Sequence, residues 1–247
     1  MSGCAKPSDT YHCQQLINMV LLIYERREKE SITERGRSDM LSGVILAGGK
    51  NSRMNGQNKA FLVLDHMTFI DRQIREMNKI CSEIVIVAMD PAPYLRTLDR
   101  GIRIITDYFP EKGPLGGMFS GLTLSFHSNV WVVGCDMPFI SAEAAELMLS
   151  CKKDAIDAVI PWIGNQVYPL HGIYDKSCAK PIRELLKNDE VSFSAMLKKL
   201  LWCELPEALF KEKEIDPRFV TAINTPEDYE QAVSFYESLQ MNYRLGL

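Results

Sequence analysis

The length, composition and charge of the chain favour one globular α/β domain and argue against several other classes of protein. Of the 247 residues, 46% are apolar and 24% are charged, which is ordinary for a domain that buries a core. The net charge of −4 argues against a nucleic-acid binder, which is usually basic. The apolar run Leu16–Tyr24 has less than half of the ~20 residues that a membrane-spanning helix needs. We therefore expect neither nucleic acid nor a membrane as a partner.

The cysteines and histidines give no sign of a disulfide framework or of a zinc site. Seven cysteines, an odd number, are widely spaced and form no Cys-x-x-Cys pair. That pattern is typical of a reducing compartment, so we expect a cytoplasmic protein. The four histidines are scattered, with no His-x-x-x-His arrangement, and we interpret each as a surface or packed side chain.

Residues 1–40 differ from the rest of the chain, and we interpret them as an N-terminal extension that is partly helical or disordered. Six acidic and six basic residues balance up to Asp39, which does not resemble a transit peptide. Met40 stands directly before the patterned region. An upstream start site and a short amphipathic helix with a linker therefore explain the extension equally well. We expect the folded domain over residues 41–247.

From residue 41 onward, strand-like and helix-like segments alternate. Short apolar runs predict buried strands, and apolar residues at helical spacing predict a helix over Phe69–Ile80. Residues 107–117 form a glycine- and proline-rich loop, a helix is expected from Met118, and a C-terminal helix begins at Pro226 after Thr225 as its N-cap. The predicted strands are Val44–Ala47, Ile84–Ala88, Ile102–Thr106, Trp131–Gly134, Ala158–Pro161, an extended piece over Val167–Tyr174, and Phe219–Ile223.

This alternating order predicts an α/β fold with a mostly parallel, doubly wound sheet and helices on both faces, in a single domain. Ligands of such sheets bind beyond the carboxyl ends of the strands. Three loops therefore become candidates for a site: those that follow Ala47, Thr106 and Gly134.

The first of these loops has the composition of an anion cradle. It follows the buried run Val44–Ala47 and contains the pair Gly48-Gly49, whose exposed N–H groups let another molecule approach closely. Lys59 can return to the phosphates as a point charge, and Arg53 can add a forked contact. The loop is neither a Walker P-loop nor a Gly-x-Gly-x-x-Gly loop. We hypothesise that it binds a nucleoside triphosphate; the alternative is a solvated basic surface loop.

The other two loops each begin with an aspartate. Asp136 follows the strand that ends at Gly134, and Asp107 follows the strand that ends at Thr106. Mg²⁺ usually takes one or two carboxylates together with phosphate oxygens, so Asp136 is our candidate magnesium ligand. The alternative for both aspartates is an N-cap or an Asx-turn, and we favour that alternative for Asp107 when it is considered alone.

Four segments and their spacing resemble the MobA family of molybdenum cofactor guanylyltransferases. The segments are LAGGKNSRMNGQNKA (residues 46–60), GPLGG (Gly113–Gly117), CDMPF (Cys135–Phe139) and NTPED (Asn224–Asp228). The resemblance covers about residues 42–240 and leaves the extension outside. It implies a Rossmann-like nucleotidyltransferase fold and transfer of GMP from GTP to molybdopterin-bound molybdenum, which yields the guanine dinucleotide cofactor and pyrophosphate. GTP and molybdopterin are then substrates, and Mg²⁺ is the cofactor.

The resemblance also implies roles for residues of the nucleotide site. Leu46, Ala47 and Gly48 resemble the start of the loop that contacts guanine and the rest of the nucleotide, and the pair Gly48-Gly49 favours guanine over cytosine. Asp107 matches a nucleotide-binding aspartate of the family.

For the reacting end of the substrate, the resemblance implies a second set of residues. Arg53 and Lys59 resemble the cations that contact phosphate, Asp136 resembles the magnesium aspartate, and Asn224 resembles a residue near the pterin side of the cleft. Molybdoenzymes or their chaperones are the partners that the family role implies.

The loop departs from its relatives at three places. Asn55 replaces a common glycine, Asn58 replaces an aspartate beside Lys59, and the segment Val87–Met89 lacks an asparagine that some members have. Loss of the negative charge at Asn58 either strengthens the phosphate contact of Lys59 or loosens its position. Two other functions therefore remain open: a related transferase that uses CTP or another phosphorylated acceptor, and a non-catalytic nucleotide-binding protein.

Overall fold

The computed structural model describes residues 40–49, 57–153 and 155–245, with the side chains of the last helix described as far as residue 237. The strands are β1 (Leu41–Leu46), β2 (Val63–Leu64), β3 (Met67–Thr68), β4 (Glu83–Ala88), β5 (Arg103–Thr106), β6 (Asn129–Gly134), β7 (Ala158–Ile163), β8 (Gln166–Val167), β9 (Gly172–Asp175) and β10 (Trp202–Pro206). The α-helices are α1 (Phe69–Met77), α2 (Ala92–Thr97), α3 (Gly113–Leu124), α4 (Ala142–Cys151), α5 (Ala179–Lys187), α6 (Phe193–Leu197), α7 (Glu207–Glu212) and α8 (Pro226–Leu245).

The central sheet is mostly parallel, as the alternating pattern predicts. Its strand order is β10-β7-β9-β6-β1-β4-β5, with β8 attached to β7. The pairs β1–β4, β1–β6, β4–β5 and β7–β10 are parallel. Strand β9 runs antiparallel between β6 and β7, and β2 and β3 form a separate hairpin. The carboxyl ends of β6, β1, β4 and β5 therefore meet at one edge of the sheet.

Helices cover both faces of this sheet. Along β1, Val44 and Ile45 point to opposite faces, and both are fully buried. Ile45 packs in a core with apolar residues of α1, α4 and α7, whereas Val44 packs with apolar residues of α3, α5 and α6. Burial on both faces explains why the strands of the sequence read as short continuous apolar runs. The doubly wound single domain is thus confirmed.

Helix α3 begins five residues earlier than the sequence suggested. The glycines and Pro114 predict a loop through Gly117, yet the helix starts at Gly113. A methyl group at Gly116 would lie 2.6 Å from the carbonyl oxygen of Phe109, and one at Gly121 would lie 2.5 Å from Val44 Cγ1. Glycine therefore occurs inside this helix because the chain packs closely around it, which composition alone does not reveal.

The predicted strand Phe219–Ile223 is wrong. Residues Pro217–Val220 form a 3₁₀ turn, because the Asp216 side chain caps it and proline stands at its first position. The edge strand β10 and the helix α7 that follows it are absent from our predictions. The C-terminal helix does begin at Pro226, and Thr225 accepts a hydrogen bond from the N–H of Asp228 at 3.1 Å.

His171 tests our interpretation of the histidines as surface or packed side chains, and it is fully buried. Its Nε2 accepts a hydrogen bond from the N–H of Ser141 at 3.1 Å, and burial lowers its pKa to about 3. His171 is therefore a packed neutral side chain, as expected. The predicted extension over residues 1–40 falls, apart from Met40, outside the described residues. Within the described ranges, no helix is both long enough and apolar enough to cross a bilayer.

Candidate active site

The three candidate loops converge on one cleft of about 480 Å³ at the carboxyl edge of the sheet. Ala47 continues the ladder beyond β1, because its N–H donates to the carbonyl of Val87 at 2.8 Å. Arg53 lies outside the described residues. The other predicted site residues all line the cleft: Leu46, Gly48, Gly49, Lys59, Asp107, Asp136 and Asn224.

Lys59 joins two other parts of this cleft. Its ammonium donates to Asn224 Oδ1 at 2.8 Å and lies 3.3 Å from Asp136 Oδ2. The lysine side chain is only 13% exposed and that of Asp136 only 21%, so the pair is well shielded from solvent. Lys59 and Asn224 are 165 positions apart in the sequence. The fold brings both of them, together with Asp136, to one place in the cleft.

A short 3₁₀ turn, Lys59–Phe61, fixes where Lys59 emerges. Asn58 caps this turn, because its Oδ1 accepts from the N–H of Ala60 at 3.1 Å. The amide of Asn58 also donates to the hydroxyl of Tyr94 at 3.1 Å. Tyr94 is 1% exposed, and burial raises its pKa to about 12, so it stays neutral. The asparagine that departs from the family pattern is therefore an anchored cap and not a loose substitution.

The Asp136 loop is held from behind by a residue that the sequence analysis missed. Gln73 of α1 is fully buried, and its Nε2 donates to the carbonyls of Gly134 at 2.7 Å and Met137 at 2.9 Å. The carbonyl of Asp136 itself accepts from the N–H of Ile223 at 2.8 Å. One signal could have found Gln73: it is a polar residue on the otherwise apolar stripe of an amphipathic helix.

Gly134 is required directly beneath the carboxylate. A methyl group at this position would lie 2.5 Å from Asp136 Oδ1 and 3.3 Å from Leu170 Cδ1. The carboxylate therefore folds back over the end of β6, and only a residue without a side chain leaves room for it.

Asn224 is held at the N-terminus of α8 by a reciprocal set of hydrogen bonds. Asp228 Oδ2 accepts from the N–H groups of Asn224 at 2.8 Å and Thr225 at 2.9 Å. These bonds hold the pKa of the Asp228 carboxyl below its ordinary value. The cap thus delivers Asn224 to the cleft from the far end of the chain.

Asp107 occupies the opposite side of the cleft and is bonded differently. Its Oδ1 accepts from the N–H of Phe109 at 2.9 Å and from the hydroxyl of Ser120 at 2.9 Å. The bond to Phe109 is the Asx-turn that the sequence offered as an alternative. Asp107 nevertheless lines the cleft while making that turn, so the two interpretations are compatible.

Two further observations limit the chemistry of this cleft. Burial, with a smaller contribution from Asp136, raises the pKa of Cys135 to about 12, so its thiol is not an activated nucleophile. No group of three or more metal-ligating side chains occurs among the described residues. Asp136 is thus a single carboxylate beside a cation.

The fold and the cleft define an α/β protein of the nucleotide-binding class, with glycines, a lysine and two aspartates at the carboxyl edge of a parallel sheet. Residues 43–201 match the MobA-like NTP transferase domain, and the chain belongs to this family.

Two relatives that are named for an activity match this chain over nearly their whole length. The chain is 33% identical over 196 residues to a molybdenum cofactor guanylyltransferase of Desulfosudis oleivorans, covering 78% of this chain and 95% of the relative. It is 35% identical over 202 residues to a probable molybdenum cofactor guanylyltransferase of Carboxydothermus hydrogenoformans, covering 79% and 96%.

Solved structures share the fold at lower identity. Molybdopterin-guanine dinucleotide biosynthesis protein A of Archaeoglobus fulgidus aligns with a TM-score of 0.69 and 22% identity, covering 80% of this chain and 99% of that chain. A 4-diphosphocytidyl-2C-methyl-D-erythritol synthase of Anaerococcus prevotii aligns with a TM-score of 0.58 and 14% identity, covering 81% and 99%. At these identities the likeness concerns the fold alone.

Proposed function

We propose that this cleft transfers GMP from GTP to the molybdenum–molybdopterin cofactor, giving the guanine dinucleotide cofactor and pyrophosphate. The observation that carries the proposal is the contact of Lys59 with both Asp136 and Asn224. It joins three of the segments on which the resemblance to the MobA family rests. Use of CTP has weaker support, because the cytidylyl-transferring structures share only the fold, at 12–14% identity.

The reaction needs alignment and charge neutralisation more than proton transfer. A phosphate oxygen of molybdopterin attacks the α-phosphorus of GTP, the bond from that phosphorus to the bridging oxygen breaks, and pyrophosphate leaves with its electron pair. Because the nucleophile is already an anion, no general base is required. The chain therefore contributes by holding two polyanions in line and by offsetting the charge that develops on the leaving group.

Lys59 is equipped for the second task. An ammonium has three N–H donors, and Asn224 and Asp136 use two of them. No other partner of the ammonium occurs among the described residues, so one donor is proposed to serve a phosphate oxygen, while Asn224 keeps the side chain in place. Arg53, on the same loop, is proposed as the second cation that contacts the phosphates.

Asp136 is proposed as the magnesium ligand, and the surroundings suit that ion. The oxygens of Asp136 and Asn224 both face the Lys59 ammonium, so they are gathered around a positive charge. A single carboxylate also matches the preference of Mg²⁺ for few protein ligands completed by phosphate and water. When bound, Mg²⁺ supplies charge neutralisation on the phosphate oxygens. Asp136 holds it, and the bonds from Gln73 keep the loop of Asp136 fixed.

The nucleoside end of GTP is proposed to lie against the glycines and Asp107. Among the described residues, a methyl group at Gly49 would meet nothing within 4 Å, and one at Gly48 would meet only Met89 Cγ at 3.6 Å. This open space lets a ligand approach the backbone closely. Leu46 and Ala47 precede the glycines and complete this wall of the proposed nucleotide site.

The decisive experiment offers the full chain GTP, Mg²⁺ and the molybdenum cofactor and detects the product by mass spectrometry. The proposal expects the guanine dinucleotide cofactor and stoichiometric pyrophosphate, both lost when Mg²⁺ is removed. A product only with CTP would identify the related transferase. Nucleotide binding without any pyrophosphate would identify a non-catalytic nucleotide-binding protein.

The cellular setting is a further part of the proposal. We propose that the product passes to molybdoenzymes or their chaperones in the cytoplasm, without a nucleic-acid or membrane partner. The division of the chain into an N-terminal extension over residues 1–40 and a folded domain over residues 41–247 also stays a prediction. Transfer of the labelled product to an apo-molybdoenzyme by the purified chain tests the partner.

A further inference from the structure

In the part of the chain that the structure describes, Asp107 is a carboxylate with hydrogen-bond donors but no cation. The residue is 9% exposed, and within the described residues its side chain forms no ion pair. Burial of a charge without a cation is costly unless donors compensate for it. The hydrogen-bond donors around Asp107 therefore take the place of a cation in stabilising its buried charge.

Ser120 supplies the side-chain donor, and its hydroxyl both donates and accepts. The hydroxyl accepts from the N–H of Tyr108 at 2.8 Å. Its single proton faces Asp107 Oδ1 at 2.9 Å and the carbonyl of Gly116 at 3.1 Å. The carboxylate is the stronger acceptor because it is charged, so the bond to Asp107 is favoured.

These bonds leave the second oxygen of Asp107 for a ligand. Both donors, the N–H of Phe109 and the hydroxyl of Ser120, meet Oδ1. Oδ2 faces Gly116 and Gly117, where methyl groups would lie 3.3 Å and 3.8 Å away. Among the described residues no hydrogen bond to Oδ2 is found, it is not one of the buried polar atoms left without a partner, and the residue lines the cleft.

We propose that Ser120 is a positioning residue, which holds Asp107 so that Oδ2 accepts a hydrogen bond from the nucleoside part of the bound nucleotide. A carboxylate only accepts, so its partner must be a donor: an N–H group of guanine or a ribose hydroxyl. This inference rests on the proposed function, because it presumes that GTP occupies the cleft.

The chain offers a matched control on the same helix. Ser120 and Ser125 are both buried serines, at 0% and 1% exposure, and each bonds the carbonyl four residues earlier, Ser125 to Gly121 at 2.7 Å. Only Ser120 also contacts Asp107. Ser120→Ala and Ser125→Ala therefore remove comparable packing and the same kind of bond to a helix carbonyl, and Ser120→Ala removes in addition the bonds to Asp107 and to the N–H of Tyr108.

The test is the affinity of the full chain for GTP by calorimetry. Ser120→Ala is expected to weaken GTP binding about tenfold, the usual effect of losing a hydrogen bond to a charged group. Ser125→Ala is expected to bind as the native chain does, and Ser120→Thr, which keeps a hydroxyl, is expected to restore most of the affinity. In an Asp107→Ala background, Ser120→Ala should cause no further weakening.

Nucleotide analogues identify the donor. Inosine triphosphate lacks the 2-amino group of guanine, and the 2′- and 3′-deoxy forms of GTP each lack one ribose hydroxyl. The native chain should discriminate against the analogue that lacks the donor to Oδ2, and Ser120→Ala should lose part of that discrimination. If Ser120 had a purely structural role, Ser120→Ala would weaken the binding of all these nucleotides equally.

The outcomes separate the two proposals. If the native chain binds no GTP, the proposed function and this inference both fail. If it binds GTP and Ser120→Ala binds equally well, or Ser120→Ala and Ser125→Ala weaken it equally, the positioning inference alone is overturned. If Ser120→Ala does not fold, the Ser120→Thr chain decides: failure to keep most of the GTP affinity and analogue discrimination overturns the inference.

Discussion

Asp136 and Asp107 lie at the same edge of the sheet, after β6 and β5, yet they have different surroundings. Asp136 has a cation as its partner, with Lys59 at 3.3 Å, and its side chain is 21% exposed. Among the described residues, Asp107 has only neutral donors, Phe109 and Ser120, and it lies deeper. Both are carboxylates that follow a parallel strand, so position along the chain does not separate them.

The difference indicates different tasks. A carboxylate paired with an ammonium can exchange that partner for a metal ion or share it with phosphate. A carboxylate fixed by two donors on one oxygen presents the other oxygen in a constant direction, which suits recognition. We expect loss of Asp136 to impair the chemical step and loss of Asp107 to impair nucleotide binding.

The largest effect should come from Asp136→Asn, which keeps the shape of the side chain and removes its charge. Turnover is expected to fall about a thousandfold, the scale of losing a preorganised electrostatic contact at the reacting centre. The rate of pyrophosphate release at saturating GTP and Mg²⁺, compared between the variant and the native chain, measures this loss of turnover.

Asp107→Asn is the matched substitution on the other side of the cleft. It should leave turnover at saturating GTP nearly unchanged and raise the KM for GTP about tenfold. If the two variants gave the same kinetic pattern, the division of tasks between the aspartates would be wrong.

Lys59→Ala should have the next largest effect. It removes the charge that contacts phosphate and also leaves the Asp136 carboxylate and the Asn224 amide without their shared donor. We expect turnover to fall about a hundredfold. Lys187→Ala, which removes an exposed lysine paired with Glu184 on α5, is the control and should retain full activity. Full activity of Lys59→Ala would remove Lys59 from the mechanism.

Much of this cleft follows from the sequence, because strand ends are readable as apolar runs that stop at glycine or aspartate. The rule that ligands lie beyond the carboxyl ends of parallel strands then brings Gly48, Asp107 and Asp136 together without any coordinates. The supporting residues were not predictable in the same way. Gln73 and Ser120 act through buried hydrogen bonds across 61 and 13 positions of sequence.

The errors in the fold have a similar cause. The apolar residues of Phe219–Ile223 suggest a strand, but the cap by Asp216 and the position of Pro217 close a 3₁₀ turn instead. In α3, glycines that normally interrupt a helix are retained because the sheet and the Asp107 loop pack against them. Local propensity yields to tertiary contact in both places.

Gly134→Ala tests whether the geometry of Asp136, apart from its charge, is required. The added methyl group would lie 2.5 Å from Oδ1, so the carboxylate must shift from its place beside Lys59. We expect about a tenfold loss of turnover, smaller than in Asp136→Asn because the charge remains nearby. Gly101→Ala, where a methyl group meets nothing within 4 Å, is the control. Unchanged turnover in Gly134→Ala would mean that the site tolerates a displaced carboxylate.

The smallest effect is expected from Asn58→Asp, which restores the residue that the family commonly has beside Lys59. A carboxylate can still cap Ala60, and the Tyr94 hydroxyl, already 3.4 Å from Oδ1, can donate to it. Turnover should therefore change by no more than about threefold, as expected for an exchange that keeps its hydrogen bonds. Asn58→Ala removes the cap instead and should lower the free energy of unfolding by about 1 kcal/mol, measured by urea denaturation. If Asn58→Asp lowered turnover as strongly as Gly134→Ala, the charge at position 58 would control the Lys59 ammonium. The contact of Lys59 with Asp136 would then depend on residue 58 as well as on Asn224.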